Sequence, residues 1–323
     1  MTGLANHPLP LAAFGLLMLM AGGHLVVREA ATLAARIGVT ALVIGVVIVG
    51  FGTSAPEMAT AVRAATSGAP ALGFGNALGA SLANLLLVLP LAALLNPITV
   101  ARAAIWREGA AVTLAAVLFA GLAWLPGLAQ AGGGAMLVLL ASWLLYSLRR
   151  PTGLQPSAEA LLQQQEGAAL VGPAQPWWQA LILLAVGIIL LVAGADLLVD
   201  AAMRYARQVG IAEDVLGLTL LSFGTCLPEL TTAILAARRQ QTDIVVGNVL
   251  GSCLFNMLGV GGLVQLLAAS GPQGLARSID APALVLATLL VMALLVGRQR
   301  LDRLSASLLL PAYAAWLSLR LLA

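Results

Sequence analysis

Two heptapeptides place carboxylates where hydrocarbon is expected. Phe51-Gly52-Thr53-Ser54-Ala55-Pro56-Glu57 returns as Phe223-Gly224-Thr225-Cys226-Leu227-Pro228-Glu229, each copy inside an apolar segment long enough to cross a bilayer. Gly and Pro interrupt a helix, Pro because it lacks an N–H and clashes with the preceding turn. Glu57 and Glu229 therefore fall on the first turn of a new half-helix. The upstream half ends in unpaired carbonyls that attract cations, and the downstream half begins with N–H groups that keep a carboxylate ionised. Secondary transporters build ion sites from such broken helices. Ser54-x-x-Glu57 also fits a capping box, in which the Glu closes the helix start. An ionisable group in a spanning segment costs at least about 2.5 kcal/mol, however, and this motif occurs twice. Ion binding is the expected role, with capping as a secondary duty.

A second pair of motifs follows. Gly75-Asn76-Ala77-Leu78-Gly79-Ala80-Ser81-Leu82-Ala83-Asn84 is echoed by Gly247-Asn248-Val249-Leu250-Gly251-Ser252-Cys253-Leu254-Phe255-Asn256. The small residues let helix backbones approach closely. Asn76 and Asn84 lie eight residues apart, about 12 Å along nearly one helix face, so they cannot both touch one small ion. Ser252, four before Asn256, shares its face and can join it at a site. An asparagine carbonyl is a neutral oxygen suited to hard cations, so Asn84 and Asn256 read as ion ligands. Asn76 and Asn248 serve equally well as interhelical hydrogen-bonding glue.

The elements that position these residues follow from composition. Of 323 residues 61% are hydrophobic and 9% charged, far below the roughly 25% charge of a soluble domain, and the mean hydropathy is +1.00. The expected fold is an all-α polytopic membrane protein. Ten spans can be drawn, at about 9–35, 39–66, 72–94, 105–125, 133–149, 177–206, 211–237, 243–267, 281–297 and 304–321. The second, third, seventh and eighth are expected to be broken.

An internal repeat organises the chain. The offset of 172 residues that separates Glu57 from Glu229 also relates Gly22 to Gly194, Gly38 to Gly210, Asn76 to Asn248, Gly79 to Gly251 and Asn84 to Asn256. Residues 1–149 and 177–323 each hold five expected spans, an odd number. The second half then enters the membrane from the opposite face, giving an inverted repeat whose two Glu motifs meet about a pseudo-two-fold axis. Residues 150–176 form a Gln-, Ala- and Pro-rich cytoplasmic linker without an acidic calcium-regulatory loop. Trp177 and Trp178 mark the re-entry into the membrane.

All sixteen basic residues are arginines scattered at segment ends, so the pI near 9.4 reflects membrane orientation and not nucleic-acid binding. With both termini outside, ten arginines fall on the inner side (Arg36, Arg102, Arg107, Arg149, Arg150, Arg238, Arg239, Arg298, Arg300 and Arg303). Five (Arg63, Arg204, Arg207, Arg277 and Arg320) fall outside, and Arg28, within the first span, is left uncounted. The positive-inside rule favours that orientation. The first apolar run is expected to be a retained helix and not a signal peptide. Cys226 and Cys253 both lie in apolar segments and are expected to be free thiols.

Gly-Thr-Ser-x-Pro-Glu followed by Gly-Asn-x-x-Gly-x-x-x-x-Asn, doubled in opposite orientations, resembles the two alpha-repeats of the calcium:cation antiporter superfamily. The chain is most similar to the prokaryotic sodium/calcium exchangers, over essentially its whole length. That resemblance implies a calcium site lined by Thr53, Glu57, Thr225 and Glu229. It also implies flanking sodium sites that use Ser54, Ser252 and backbone carbonyls near Gly50 and Ser222. Asn84 and Asn256 occupy positions where the family places an amide or an acid. Three departures stand out: Ala80 replaces a common serine, Cys226 replaces the usual serine of the second repeat, and Asn256 stands where some microbial members have aspartate. These thin the sodium sites more than the calcium site.

Charge suggests the mechanism. Two glutamates neutralise one Ca2+ or are shared by several Na+, so the two cargoes compete. An empty, doubly anionic site is held back from crossing hydrocarbon. The resemblance implies that the first and sixth helices slide during reorientation. The partners expected are small inorganic cations and the lipid bilayer, with no cofactor, no soluble protein partner and no enzymatic activity. One alternative is a proton-coupled Ca2+ or divalent transition-metal exchanger, with Cys226 as a softer ligand and His24 and Asp196 at matching positions of the first and sixth helices. A remote alternative is an intramembrane hydrolase using two close carboxylates.

Overall fold

Peptide groups in hydrocarbon find no water and must bond within their own segment, so long apolar runs become helices. The computed structural model describes residues 8–36, 54–99, 102–149, 176–210, 212–238, 240, 242–268 and 279–322. Helix α1 spans Pro8–Arg36, α2 Ala55–Thr66, α3 Pro70–Leu95, α4 Arg102–Ala123, α5 Ala129–Arg149 and α6 Trp177–Val209. Helix α7 runs over 213–225, α8 over Leu227–Arg238, α9 over 242–267, α10 over Asp280–Arg298 and α11 over Arg303–Leu322. Two short strands, β1 (Ile98–Thr99) and β2 (Arg300–Leu301), pair antiparallel with Ile98 opposite Leu301.

Among the described residues seven helices are long and apolar enough to cross a membrane, or eight if the bent pair α7 and α8 is one span. The first part of the expected second span, 39–53, lies outside the described residues, as does the linker over 150–175. Helix α11 fills the last expected span but is not among those that meet the apolar criterion.

The chain divides into two compact units, residues 1–60 with 141–205, and residues 61–140 with 206–323. In the first, α1 packs antiparallel on α6 through glycines. A Cβ on Gly15 would lie 2.8 Å from the Leu198 nitrogen and 2.9 Å from the Gly194 oxygen, and one on Gly22 would lie 2.8 Å from the Gly187 oxygen. Gly187 and Gly194 are the repeat counterparts of Gly15 and Gly22, so each glycine faces the counterpart of the other.

The core of the second unit is built from α3 and α9, whose spanning windows are 78% and 83% buried against 28% for α5. Helix α7 lies along the first half of α3, where a Cβ on Gly79 would overlap the Leu218 carbonyl and one on Gly217 would overlap that of Leu72. Helix α8 packs on α9 and on the second half of α3, α10 on α4, and α11 on the second half of α3. Phe74 of α3 stacks on Phe119 of α4 with centroids 4.3 Å apart. At one end of α11 the Asp302 carboxylate accepts the Ser305 N–H at 2.8 Å, and that bond holds the carboxyl below its ordinary range.

The breaks differ from expectation. The break in the seventh segment is present, with a 48° bend between Thr225 and Leu227. The third and eighth segments are not broken. Helix α3 continues through a π-helical stretch at Asn84–Val88 and α9 through one at Phe255–Val260. Wide turns close there through Leu89 N–H to the Asn84 carbonyl and Gly261 N–H to the Asn256 carbonyl. The physical reason is hydrogen-bond accounting: a break would strand backbone groups in an apolar core, whereas a π turn absorbs one extra residue and keeps them paired.

Candidate ion site

Glu229 sits on the first turn of α8 with its side chain fully buried. Ser252 of α9 donates its hydroxyl to Oε1 at 3.4 Å, while Oε2 has no hydrogen-bond partner among the described residues. Asn248 Nδ2, one α9 turn earlier, donates to the Glu229 backbone carbonyl at 3.4 Å. Helix α8 also touches the π turn that opens with Asn84. Asn84 is fully buried and neither atom of its amide has a hydrogen-bond partner among the described residues; the same holds for Asn256 in the π turn of α9, which packs on the first part of α3.

An unmet buried polar atom costs about 1–3 kcal/mol. Such atoms recur here on a carboxylate and two primary amides, all hard oxygen donors of the kind that hold alkali and alkaline-earth cations. Both amides sit in π turns, a distortion that gathers at functional sites. Among the described residues no three His, Cys, Asp or Glu side chains come together, and the side chains seen to hydrogen-bond to Glu229 are the Ser252 hydroxyl and the Asn248 amide.

The other expected residues are placed as follows. Thr225 is fully buried, and its hydroxyl reaches Asn76 Oδ1 at 3.2 Å and the Ser222 carbonyl at 3.4 Å. That carbonyl also accepts the Cys226 N–H at 3.0 Å, so the proposed Ser222 ligand is engaged in its own helix. The Ser222 hydroxyl bonds back to Leu218 at 2.6 Å. Cys226 points its thiol at the Ala80 carbonyl, 3.6 Å away, which brings two of the three departures from the family pattern into contact. Cys253 does the same with the Ser81 carbonyl at 3.7 Å, joining two repeat counterparts. Both thiols are free, as expected.

Glu57 is fully buried on the first turn of α2, where Thr60 donates to the carbonyls of Pro56 and Glu57. The Ser54 oxygen is buried without a hydrogen bond among the described residues, so the side-chain half of a capping box is not made; only its carbonyl serves, accepting the Met58 N–H. Gly50 and Thr53 lie outside the described residues.

The sequence reading left three features unassigned. One is the pairing of Asn76 with Thr225 and of Asn248 with the Glu229 carbonyl. Another is Gln265, fully buried on α9 with neither amide atom hydrogen-bonded among the described residues. The third is Asp280, buried at the start of α10, which pairs with Arg320 at 2.6 Å and accepts the Trp316 indole N–H at 2.9 Å. Only the two asparagines carried a signal, their recurrence at the repeat offset.

A polytopic helical fold that buries a carboxylate beside hydroxyls and amides defines an integral membrane protein of the kind that handles small cations. The family model described as sodium/calcium exchanger protein matches residues 7–149 and 179–322, and the chain belongs to that family of membrane antiporters. It is 33% identical over 312 residues to CaxA of Alkalimonas amylolytica, a proposed antiporter, covering 94% of this chain and 95% of that one. It is 25% identical over 333 residues to the sodium/calcium exchanger MaX1 of Methanosarcina acetivorans, covering 94% and 95%. Among solved structures, the sodium-calcium exchanger NCX_Mj soaked with 10 mM Na+ and zero Ca2+ superposes with a TM-score of 0.65 at 27% identity, over 96% of this chain and 98% of that one.

Proposed function

We propose that this protein is a secondary active antiporter that exchanges Ca2+ for Na+ by alternating access. The observation that carries the reading is the set of fully buried oxygens on Glu229 (Oε2), Asn84 and Asn256 that have no hydrogen-bond partner among the described residues. Family membership, and the match of the family model to each half in turn, support it.

In this proposal Glu57 and Glu229 are the charged calcium ligands, completed by oxygens of Thr53 and Thr225. Ser54, Ser252, Asn84, Asn256 and carbonyls near Gly50 and Ser222 serve the flanking sodium sites, where Cys226 supplies sulfur in place of oxygen. Residues 1–149 and 177–323 act as two inverted five-helix repeats joined by the cytoplasmic linker 150–176, giving ten spans with both termini outside. The reciprocal glycine pairing of α1 with α6 is what two such repeats would produce at their axis. The same pair is the element that moves during reorientation.

Two carboxylates balance one Ca2+. Removing either charge leaves the dication half-compensated in a medium where that is costly. The decisive experiment is 45Ca2+ uptake into proteoliposomes under imposed Na+, K+ or H+ gradients. An outward-directed Na+ gradient is expected to drive uptake. Uptake driven by a pH gradient and indifferent to Na+ would replace sodium coupling with proton coupling.

A further inference from the structure

We infer that Asn248 is a positioning residue for Glu229: through its side-chain N–H it holds the main chain of the α8 first turn against α9, and so fixes where the Glu229 carboxylate stands. The inference rests on the proposed binding of a cation by Glu229 and deepens it, giving Asn248 a role at the site without making it a ligand.

A carboxylate on a two-carbon arm points where its own backbone and the groups holding its oxygens put it. Glu229 is held at both places. The Ser252 hydroxyl donates to Oε1 at 3.4 Å, and Asn248 Nδ2 donates to the main-chain carbonyl at 3.4 Å. Asn248 and Ser252 are four residues apart within the regular helical part of α9, so both holds come from one face of one helix. The carbonyl lies in the first turn of α8 and has a second lone pair beyond the one its own helix uses. With the backbone and Oε1 both tied to α9, the oxygen left without a hydrogen-bond partner among the described residues is Oε2. A ligand held at two points loses little freedom when an ion arrives, which is what supporting groups contribute to a binding site.

Tight packing does not account for the contact. Glu229 is fully buried, whereas Asn248 is half-buried. A Cβ on Gly251, three residues further along α9, would meet nothing within 4 Å among the described residues, so that side of the helix is not closely filled. The amide is therefore held by its hydrogen bond and not by being wedged, and only another donor can replace it.

The test reads binding and transport side by side. Ca2+-dependent thermal stabilisation of the purified protein gives a Ca2+ midpoint for each variant, because a ligand that binds the folded state raises its stability with occupancy. Asn248→Leu keeps the volume and removes the donor; it is expected to raise that midpoint about fivefold, the scale of one hydrogen bond. In proteoliposomes the half-saturating Ca2+ concentration is expected to rise by the same factor while the maximal rate stays nearly unchanged. Asn248→Gln keeps a donor and is expected to bind within about twofold of the unmodified protein. If Asn248→Leu gives no monodisperse sample, Asn248→Ala takes its place with the same expectation. A lowered melting point without Ca2+ and an unchanged Ca2+ midpoint would reduce Asn248 to a structural contact and overturn the inference. Equal losses in the Leu and Gln variants would overturn it as well, since the donor would then not matter. Glu229→Gln separates this inference from the reading beneath it: a Ca2+ midpoint unchanged in that variant, or no stabilisation of the unmodified protein by Ca2+, removes Glu229 as a calcium ligand and the role of Asn248 with it.

Discussion

At the scale of single residues the buried charge is the sharpest handle. Glu57→Gln and Glu229→Gln keep shape and lose charge, and each is expected to abolish calcium exchange in proteoliposomes; transport at the unmodified rate by either would remove the central claim. Asn84→Ala and Asn256→Ala delete one neutral donor apiece and are expected to raise the half-saturating ion concentration about tenfold while leaving turnover measurable. Equal loss in all four would indicate misfolding, which size-exclusion chromatography detects. Cys226 sits where its thiol faces the Ala80 carbonyl. A hydroxyl is a harder donor than a thiol, and Na+ gains little from sulfur. Cys226→Ser is therefore expected to lower the Na+ half-saturation about fivefold, the equivalent of about 1 kcal/mol, with calcium affinity nearly unchanged, as read by Na+-dependent 45Ca2+ efflux.

At the scale of elements, the helices that carry the site touch backbone to backbone. Gly79 lies against the Leu218 carbonyl, and a methyl there must push α7 from α3. Gly79→Ala is expected to destabilise by about 1–3 kcal/mol, the usual range for overpacking, and to lower the melting point in detergent. Gly134→Ala on α5 meets nothing within 4 Å and serves as the control, expected to be neutral or slightly stabilising. Away from the site, Asp280 and Arg320 tie α10 to α11 with the carboxylate fully buried and the guanidinium 13% exposed. Asp280→Leu takes the buried carboxylate away from that cation and from the Trp316 indole and is expected to cost about 3 kcal/mol. Asp280→Leu combined with Arg320→Met is expected to recover most of the loss, because the desolvation penalty disappears with the pair; thermal melts of the three variants decide.

At the scale of the whole molecule, the proposed topology makes a prediction independent of ion chemistry. Single cysteines at Gln164 and at Gly127, in a background with Cys226→Ala and Cys253→Ala, are expected to react with an impermeant thiol reagent from opposite faces of the membrane. Labelling of both from one face would break the odd-numbered halves and with them the inverted repeat. Within residues 1–60 and 141–205 the antiparallel α1 and α6 meet through glycines that exchange places under the 172-residue offset. Such reciprocity is the mark of a two-fold interface, here written into one chain.

The sequence alone determined the helical membrane class of the fold and the family, and it singled out the residues proposed for the site. Each of these rests on local, additive physics: apolar length measures a bilayer, an ionisable group in hydrocarbon needs a reason, and a motif repeated at a constant offset survives without knowledge of contacts. Glu229, Asn84 and Asn256 were legible on those grounds, and so was the bend before Glu229, because Pro and Gly act on their own backbone. The tertiary structure decided what depends on neighbours far along the chain. The third and eighth segments run on through π turns instead of breaking, because the helices packed around them leave no water to satisfy a broken backbone. That Asn76 bonds to Thr225 turns on a contact 149 residues away, and whether Ser54 caps its helix turns on where its oxygen points. No local pattern carries either fact, since a hydroxyl or an amide takes its role from whichever donor or acceptor the packed helices bring within about 3 Å.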